Sequence, residues 1–92
     1  MKHLEKILKG LANRRRLTMV KLLLRKKQPL RVGQIADAIS LAFTATSKHL
    51  NMLRQLDILE RRQVGLTIFY RIADPLPPAA RALISLISNS RE

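Results

Sequence analysis

The chain contains no cysteine. That excludes disulfides, thiolate metal centres, iron–sulfur clusters and thiol redox sensing, and it fits a reducing compartment. Aromatic residues are scarce: Phe43, Phe69 and Tyr70 are the whole set, so a core must be built from Leu, Ile, Val and Ala. The three glycines stand far apart, and none belongs to a glycine-rich phosphate loop. No apolar run approaches the length of a membrane span. The start, Met1 to Gly10, carries three lysines and a glutamate among its apolar residues, unlike a secretory signal. A soluble cytoplasmic protein is expected. Acidic residues are also few. Six Asp and Glu face 18 Lys and Arg, a formal net charge of +12. Such an excess favours polyanionic partners, with nucleic acid first and an anionic membrane surface second. Charge for solubility alone is the plainer alternative.

Apolar residues make up 47% of the chain, which argues for a globular fold. Ninety-two residues fit one domain, expected to span 1–92. A domain this small buries a modest share of its surface, so helices apolar on more than one face are candidates for a dimer interface. Leu4, Ile7, Leu8 and Leu11 follow the i, i+3, i+4, i+7 spacing of an amphipathic helix. Asn13 is placed to cap a second helix, with Leu17, Val20, Leu23 and Leu24 as its stripe. Arg25-Lys26-Lys27-Gln28-Pro29 ends it. A third helix is expected over about 31–40, with Val32, Ile35, Ala36 and Ile39 inward. A fourth follows over about 43–56, with Thr46, Leu50 and Leu53 inward. Two compact helices joined by Ser40-Leu41-Ala42 form a helix-turn-helix.

The period then shortens. Ile68, Tyr70 and Ile72 alternate with Thr67, Phe69 and Arg71, and Gly65 stands between this run and the one from Ile58 to Val64. A β-hairpin is expected. Three prolines between Asp74 and Pro78 exclude interior helix but suit a helix start. A fifth helix should run over 78–88, with apolar residues almost all round it. The expected fold is mostly α with a β-hairpin: a winged helix-turn-helix of five helices and a two-stranded wing.

Three segments resemble the ArsR-type winged helix-turn-helix repressors. Leu11 to Leu17 is similar to the family's LANPTRL, with Arg14 where proline is usual. Ile39 to Leu50 is similar to LGLSQSTVSRHL, and Gly65 to Ile72 to the wing GRWVYYRL. The similarity covers about Leu4 to Ile87, and the three motifs stand in the family's order and spacing. The resemblance implies DNA binding and dimerisation. It does not carry over the family's metal sites. Arg31 and Gly33 stand where metal sensors often have Cys-x-Cys, and Ala79 to Ser88 contains no His, Asp or Glu. Ala42 replaces the usual Ser cap, a change that costs about 1 kcal/mol at a helix start.

On the fourth helix, the inward set leaves Thr44, Lys48 and Asn51 outward, flanked by Ala45 and Ser47. Phe43, Thr44, Ser47 and Lys48 are the candidate base readers. Lys48 can donate to guanine, and Thr44 and Ser47 to bases or phosphates. Phe43, where the resemblance implies a polar contact residue, either touches a thymine methyl or packs under the helix. Arg14, Arg15 and Arg16 begin the second helix, whose N-terminus attracts phosphate. With His49, Asn51, Arg61, Arg62 and Gln63 they are the candidate backbone contacts, although alternation along a strand lets only some wing residues face DNA. Leu4, Leu8, Ala79, Leu83, Leu86 and Ile87 are the candidate dimer contacts. His3 and His49 are the only histidines, and no metal site, cofactor or enzymatic constellation is expected. The expected partners are double-stranded DNA, as a pseudo-palindromic operator, and a second copy of the chain, with no membrane. Two alternatives remain: a winged-helix protein-interaction module, and a basic protein binding nucleic acid without sequence preference.

Overall fold

The computed structural model describes residues 2–90, so Met1, Arg91 and Glu92 of the expected 1–92 span lie outside it. The first helix, α1 (Lys2–Leu11), is followed at once by α2 (Arg14–Lys26). Asn13 separates them in an extended conformation, and its Oδ1 accepts from the N–H groups of Arg15 at 3.0 Å and Arg16 at 3.1 Å. This is the cap the sequence predicts. At the far end Lys27 adopts a left-handed conformation (φ 56°), and its N–H donates to the Leu23 carbonyl, closing the last turn.

Next come β1 (Leu30–Arg31), α3 (Val32–Ile39) and α4 (Phe43–Gln55), then β2 (Leu59–Val64), β3 (Thr67–Ile72) and α5 (Pro78–Ser88). Helices α3 and α4 end alike. Leu41 N–H bonds the Ala36 carbonyl at 3.0 Å and Ile58 N–H bonds the Leu53 carbonyl at 3.1 Å. The residues before them, Ser40 and Asp57, are left-handed with φ near 55° and 61°. These are Schellman closures made without glycine. They turn the chain sharply, so α3 and α4 meet across three residues.

The hairpin is antiparallel, with Leu59 opposite Ile72 and Val64 opposite Thr67. Gly65 turns it with a positive φ of 63°. A short strand adds to the two-stranded wing: β1 pairs with β3, Leu30 opposite Tyr70, giving the sheet order β1-β3-β2. Two residues are too few to show alternation, so β1 reads in the sequence as the lead into α3.

The core gathers one face of every helix. Ile7 and Leu11 of α1, Met19, Val20, Leu22 and Leu23 of α2, and Ile35 of α3 are buried. So are Leu50 and Leu53 of α4, Leu59 and Tyr70 of the sheet, and Ala80 and Ile84 of α5. The α2 stripe is shifted from expectation. Met19 and Leu22 are buried, while Leu17 and Leu24 are only partly so, because α1, α4 and α5 all pack on this helix. The α1 stripe divides. Ile7 and Leu11 enter the core, and Leu4 and Leu8 stay exposed.

Candidate nucleic-acid interface

The burial of Thr46, Leu50 and Leu53 fixes the rotation of α4. Thr46 is fully buried, and its hydroxyl donates to the Ala42 carbonyl at 2.9 Å, so the one buried polar side chain among the described residues is satisfied within the helix. With that face inward, Thr44 and Lys48 are exposed, while Ser47 and Ala45 are half-buried at the flanks. Phe43 is 61% exposed. It does not pack under the helix, which leaves the outward alternative. The four candidate base readers thus share the N-terminal half of one helix, with Thr44 and Lys48 on its outer side, Ser47 at the flank and Phe43 exposed at its first position. Ala42 makes no side-chain cap, as its substitution for serine predicts.

Beside this surface lies the start of α2. Successive residues on a helix diverge by about 100°, and the three arginines separate accordingly. Arg14 and Arg15 are exposed. Arg16 is half-buried and turns back on the protein: its Nε donates to the Gly10 carbonyl at 2.5 Å, and a terminal nitrogen donates to His49 Nδ1 at 3.2 Å. Arginine can only donate, so Nδ1 accepts and the imidazole proton sits on Nε2. Desolvation and the charges of Arg16 and Arg15 push the His49 pKa below its ordinary 6.5. Asn51, half-buried on α4, accepts from Arg54 at 2.8 Å through Oδ1, which leaves its amide N–H groups outward-facing donors.

The strand register sorts the wing residues. Arg61 pairs with Tyr70 and Gln63 with Ile68, on the face that carries the core. Arg62 pairs with Phe69 on the opposite face. Gln63 donates to the Gly65 carbonyl at 3.0 Å and holds the turn. Glu60 accepts from the Asp74 N–H at 2.9 Å and is tied to Arg71 at 2.8 Å, and in that order these contacts hold its pKa below the carboxylate norm. Arg61 and Arg62 have no ion-pair partner among the described residues. At the tip, Leu66 is 99% exposed.

Sequence reasoning missed three features here. The pairing of Arg16 with His49 spans 33 residues, and no local pattern marks it. Arg54 had a signal, since it lies three residues from Asn51 on one helix face. Leu66 had one too, because a residue beside a hairpin glycine points to solvent.

The candidate dimer residues lie on packed neighbours, α1 and α5. Leu4, Leu8 and Leu86 are exposed, while Ala79, Leu83 and Ile87 are half-buried against the core. Among the described residues no group of three His, Asp or Glu side chains converges as a metal site. No helix among them is long and apolar enough to cross a membrane.

Comparison with known proteins sharpens this picture. The family model described as "Bacterial regulatory protein, arsR family" matches residues 13–61, which run from the α2 cap through the first half of β2. The chain is similar to the transcriptional activator HlyU of Vibrio cholerae. The two are 32% identical over 81 residues, which is 88% of this chain and 70% of that protein. The solved HlyU structure superposes with a TM-score of 0.78. The homodimeric winged helix-turn-helix DNA-binding domain of Mb0332 from Mycobacterium bovis is 30% identical, with a TM-score of 0.78 over 94% of this chain and 75% of that one. The transcriptional repressor PagR of Bacillus anthracis is 31% identical, with a TM-score of 0.75 over 94% of this chain and 93% of that one.

Proposed function

The chain belongs to the bacterial ArsR family of regulatory proteins and is a winged helix-turn-helix transcriptional regulator, and from that premise we propose that it is a cytoplasmic, homodimeric repressor of sequence-specific action. The observation that carries this reading is the rotation of α4. A buried Thr46/Leu50/Leu53 face turns Thr44 and Lys48 outward with Ser47 at the flank, and leaves Phe43 exposed at the first position of the helix, on a chain with a net charge of +12.

In the proposed mode, 1–92 acts as one DNA-binding unit and α4 enters the major groove. Lys48 donates to guanine acceptors, Thr44 and Ser47 bond base edges or nearby phosphates, and Phe43 covers a thymine methyl. Arg14 and Arg15 hold phosphate at the N-terminus of α2. Arg16 contributes by fixing the tautomer of His49, whose Nε2–H is then a donor for a phosphate oxygen. The free amide N–H groups of Asn51 do the same. Arg62 reaches backbone from the wing, Arg61 stands on the other face of β2, and Gln63 keeps the turn in place.

Two copies meet through Leu4, Leu8 and Leu86, with Ala79, Leu83 and Ile87 beneath. That two-fold axis sets two α4 helices about 34–36 Å apart, one turn of DNA, and asks for a pseudo-palindromic operator. The homodimeric Mb0332 domain and the repressor PagR support this assembly and this sign of regulation. Occupancy of such an operator blocks access to a promoter, and neither a metal nor a cofactor is needed for binding.

The test is selection from a pool of random duplexes with the purified protein, followed by footprinting of the enriched sites. Enrichment of inverted half-sites spaced by one helical turn is expected. Retention of every duplex alike would sink the sequence-specific reading. A reporter whose promoter overlaps the selected site should fall in output when the protein is expressed; a rise would make it an activator.

A further inference from the structure

The outer face of this sheet is largely polar, carrying Glu60, Arg62, Thr67 and Arg71, but two apolar residues interrupt it. Opposite the core-facing Leu59 and Tyr70, the register places Phe69 and Val64 on the solvent side. Val64 is 59% exposed. Phe69 is half-buried, and it is flanked on that face by Arg62 of β2 and Arg31 of β1. Phe69, Val64 and Arg62 form part of a groove of about 760 Å³, lined also by Pro29 and Arg54. Sites for small organic ligands span about 300–1,000 Å³, with an apolar lining and a few convergent polar groups.

The charge on the groove is unbalanced. Four arginines line it against two carboxylates, Asp57 and Glu60. Arg71 is committed to Glu60, and Arg54 to Asn51. Arg61 and Arg62 have no such partner within ion-pair distance among the described residues; Arg61 belongs to the Tyr70 face of β2, whereas Arg62, whose charge also reaches Glu60, stands directly across from Phe69. An apolar floor with an uncommitted guanidinium at its edge suits an amphipathic anion. The flat floor of Phe69 favours an aromatic body over an alkyl chain, and a single forked cation matches one carboxylate in bidentate fashion. A phosphate or simple anion would gain nothing from Phe69 and Val64.

We propose that this groove binds a small aryl carboxylate, its ring against Phe69 and Val64 and its carboxylate on Arg62. Because Arg62 is also a proposed phosphate contact, occupancy opposes DNA binding; this second half rests on the repressor reading. By linkage, DNA and the ligand weaken each other by the same factor.

The probe is 2-naphthoate, titrated into the DNA-free protein while backbone amide shifts are followed. The controls are 2-naphthalenemethanol, which lacks the charge, and acetate, which lacks the ring. Saturable shifts confined to β2, β3 and the segment around Gln28 are expected with naphthoate, and far weaker ones with either control. Arg62→Gln and Phe69→Thr should each weaken binding about tenfold or more. No saturable shift, an equal response to acetate, or unchanged affinity in both variants would overturn the site. In a second arm, naphthoate should lower wild-type affinity for the selected duplex and leave Phe69→Thr unaffected. Naphthoate binding with wild-type DNA affinity unchanged would overturn the release step. A wild-type protein that binds no duplex at all defeats the repressor reading instead, and the DNA-free arm still decides the site.

Discussion

Two helix caps make opposite predictions from the same physics. Asn13→Ala removes an acceptor that serves two backbone donors, at 3.0 and 3.1 Å. The Arg15 N–H is exposed and will find water. The Arg16 N–H is partly buried and recovers less. Loss of an Asn cap costs about 0.5–2 kcal/mol. One exposed and one part-buried donor put this case at about 1–1.5 kcal/mol. With a urea slope of about 1.5–2 kcal/mol per molar, the unfolding midpoint falls by roughly 0.5–1 M and the slope stays unchanged. Ala42→Ser works the other way. Ala42 already has the extended backbone of a cap, with φ near −59° and ψ near 145°, but no side chain to fill the role. A serine Oγ there can accept from the Ala45 N–H. That donor belongs to the first turn and has no intrahelical partner, and capping it should add about 0.5 kcal/mol. Both variants should be unfolded in urea at one fixed protein concentration, since dimerisation couples midpoint to concentration. An unchanged midpoint for Asn13→Ala, or a lowered one for Ala42→Ser, would refute the capping argument.

Leu8→Glu combined with Leu86→Glu places like charges on the exposed α1/α5 surface and leaves each protomer's own core intact. Sedimentation equilibrium should show a dimer for the wild type and a monomer for the variant; a wild-type monomer at high concentration would defeat the assembly. The His49 pKa is depressed, so the unfolded chain takes up the proton first. Stability should therefore decline as pH falls from about 6.5 toward the lower folded value, and His49→Gln should flatten that decline in urea midpoints measured from pH 7 to 5. Glu60 is depressed as well, so its contribution is present at neutral pH and is lost as pH falls through and below its ordinary value of 4.5. Glu60→Gln should lower the midpoint slightly at pH 7, and the difference from the wild type should shrink as pH falls below 4.5. A gap that widens in acid would reverse the assignment.

The elements legible in the sequence were those governed by local spacing. The Asn13 cap, the inner face of α4 and the hairpin around Gly65 each follow from residues within a few positions of one another. What escaped depends on distance along the chain. The strand β1 exists because β3, almost forty residues later, offers it an edge. Arg16 leaves its neighbours because Gly10 and His49 converge on it from two other helices. The α1 stripe looks uniform in sequence, and only its packing against α2 and α5 decides that Ile7 goes inward while Leu8 stays out. On the wing, alternation was visible, but which face carries the core was settled by the burial of Leu59 and Tyr70.

The central claim is that α4 reads bases while α2 holds backbone. The most direct test is affinity for the selected duplex and for random duplex across a salt series, in the wild type, Lys48→Ala and Arg15→Ala. Lys48→Ala should weaken the selected site by about 1–3 kcal/mol and shrink its margin over random DNA. Arg15→Ala should weaken both duplexes alike and reduce the salt slope by about one. Discrimination left intact by Lys48→Ala but abolished by Arg15→Ala would contradict the account.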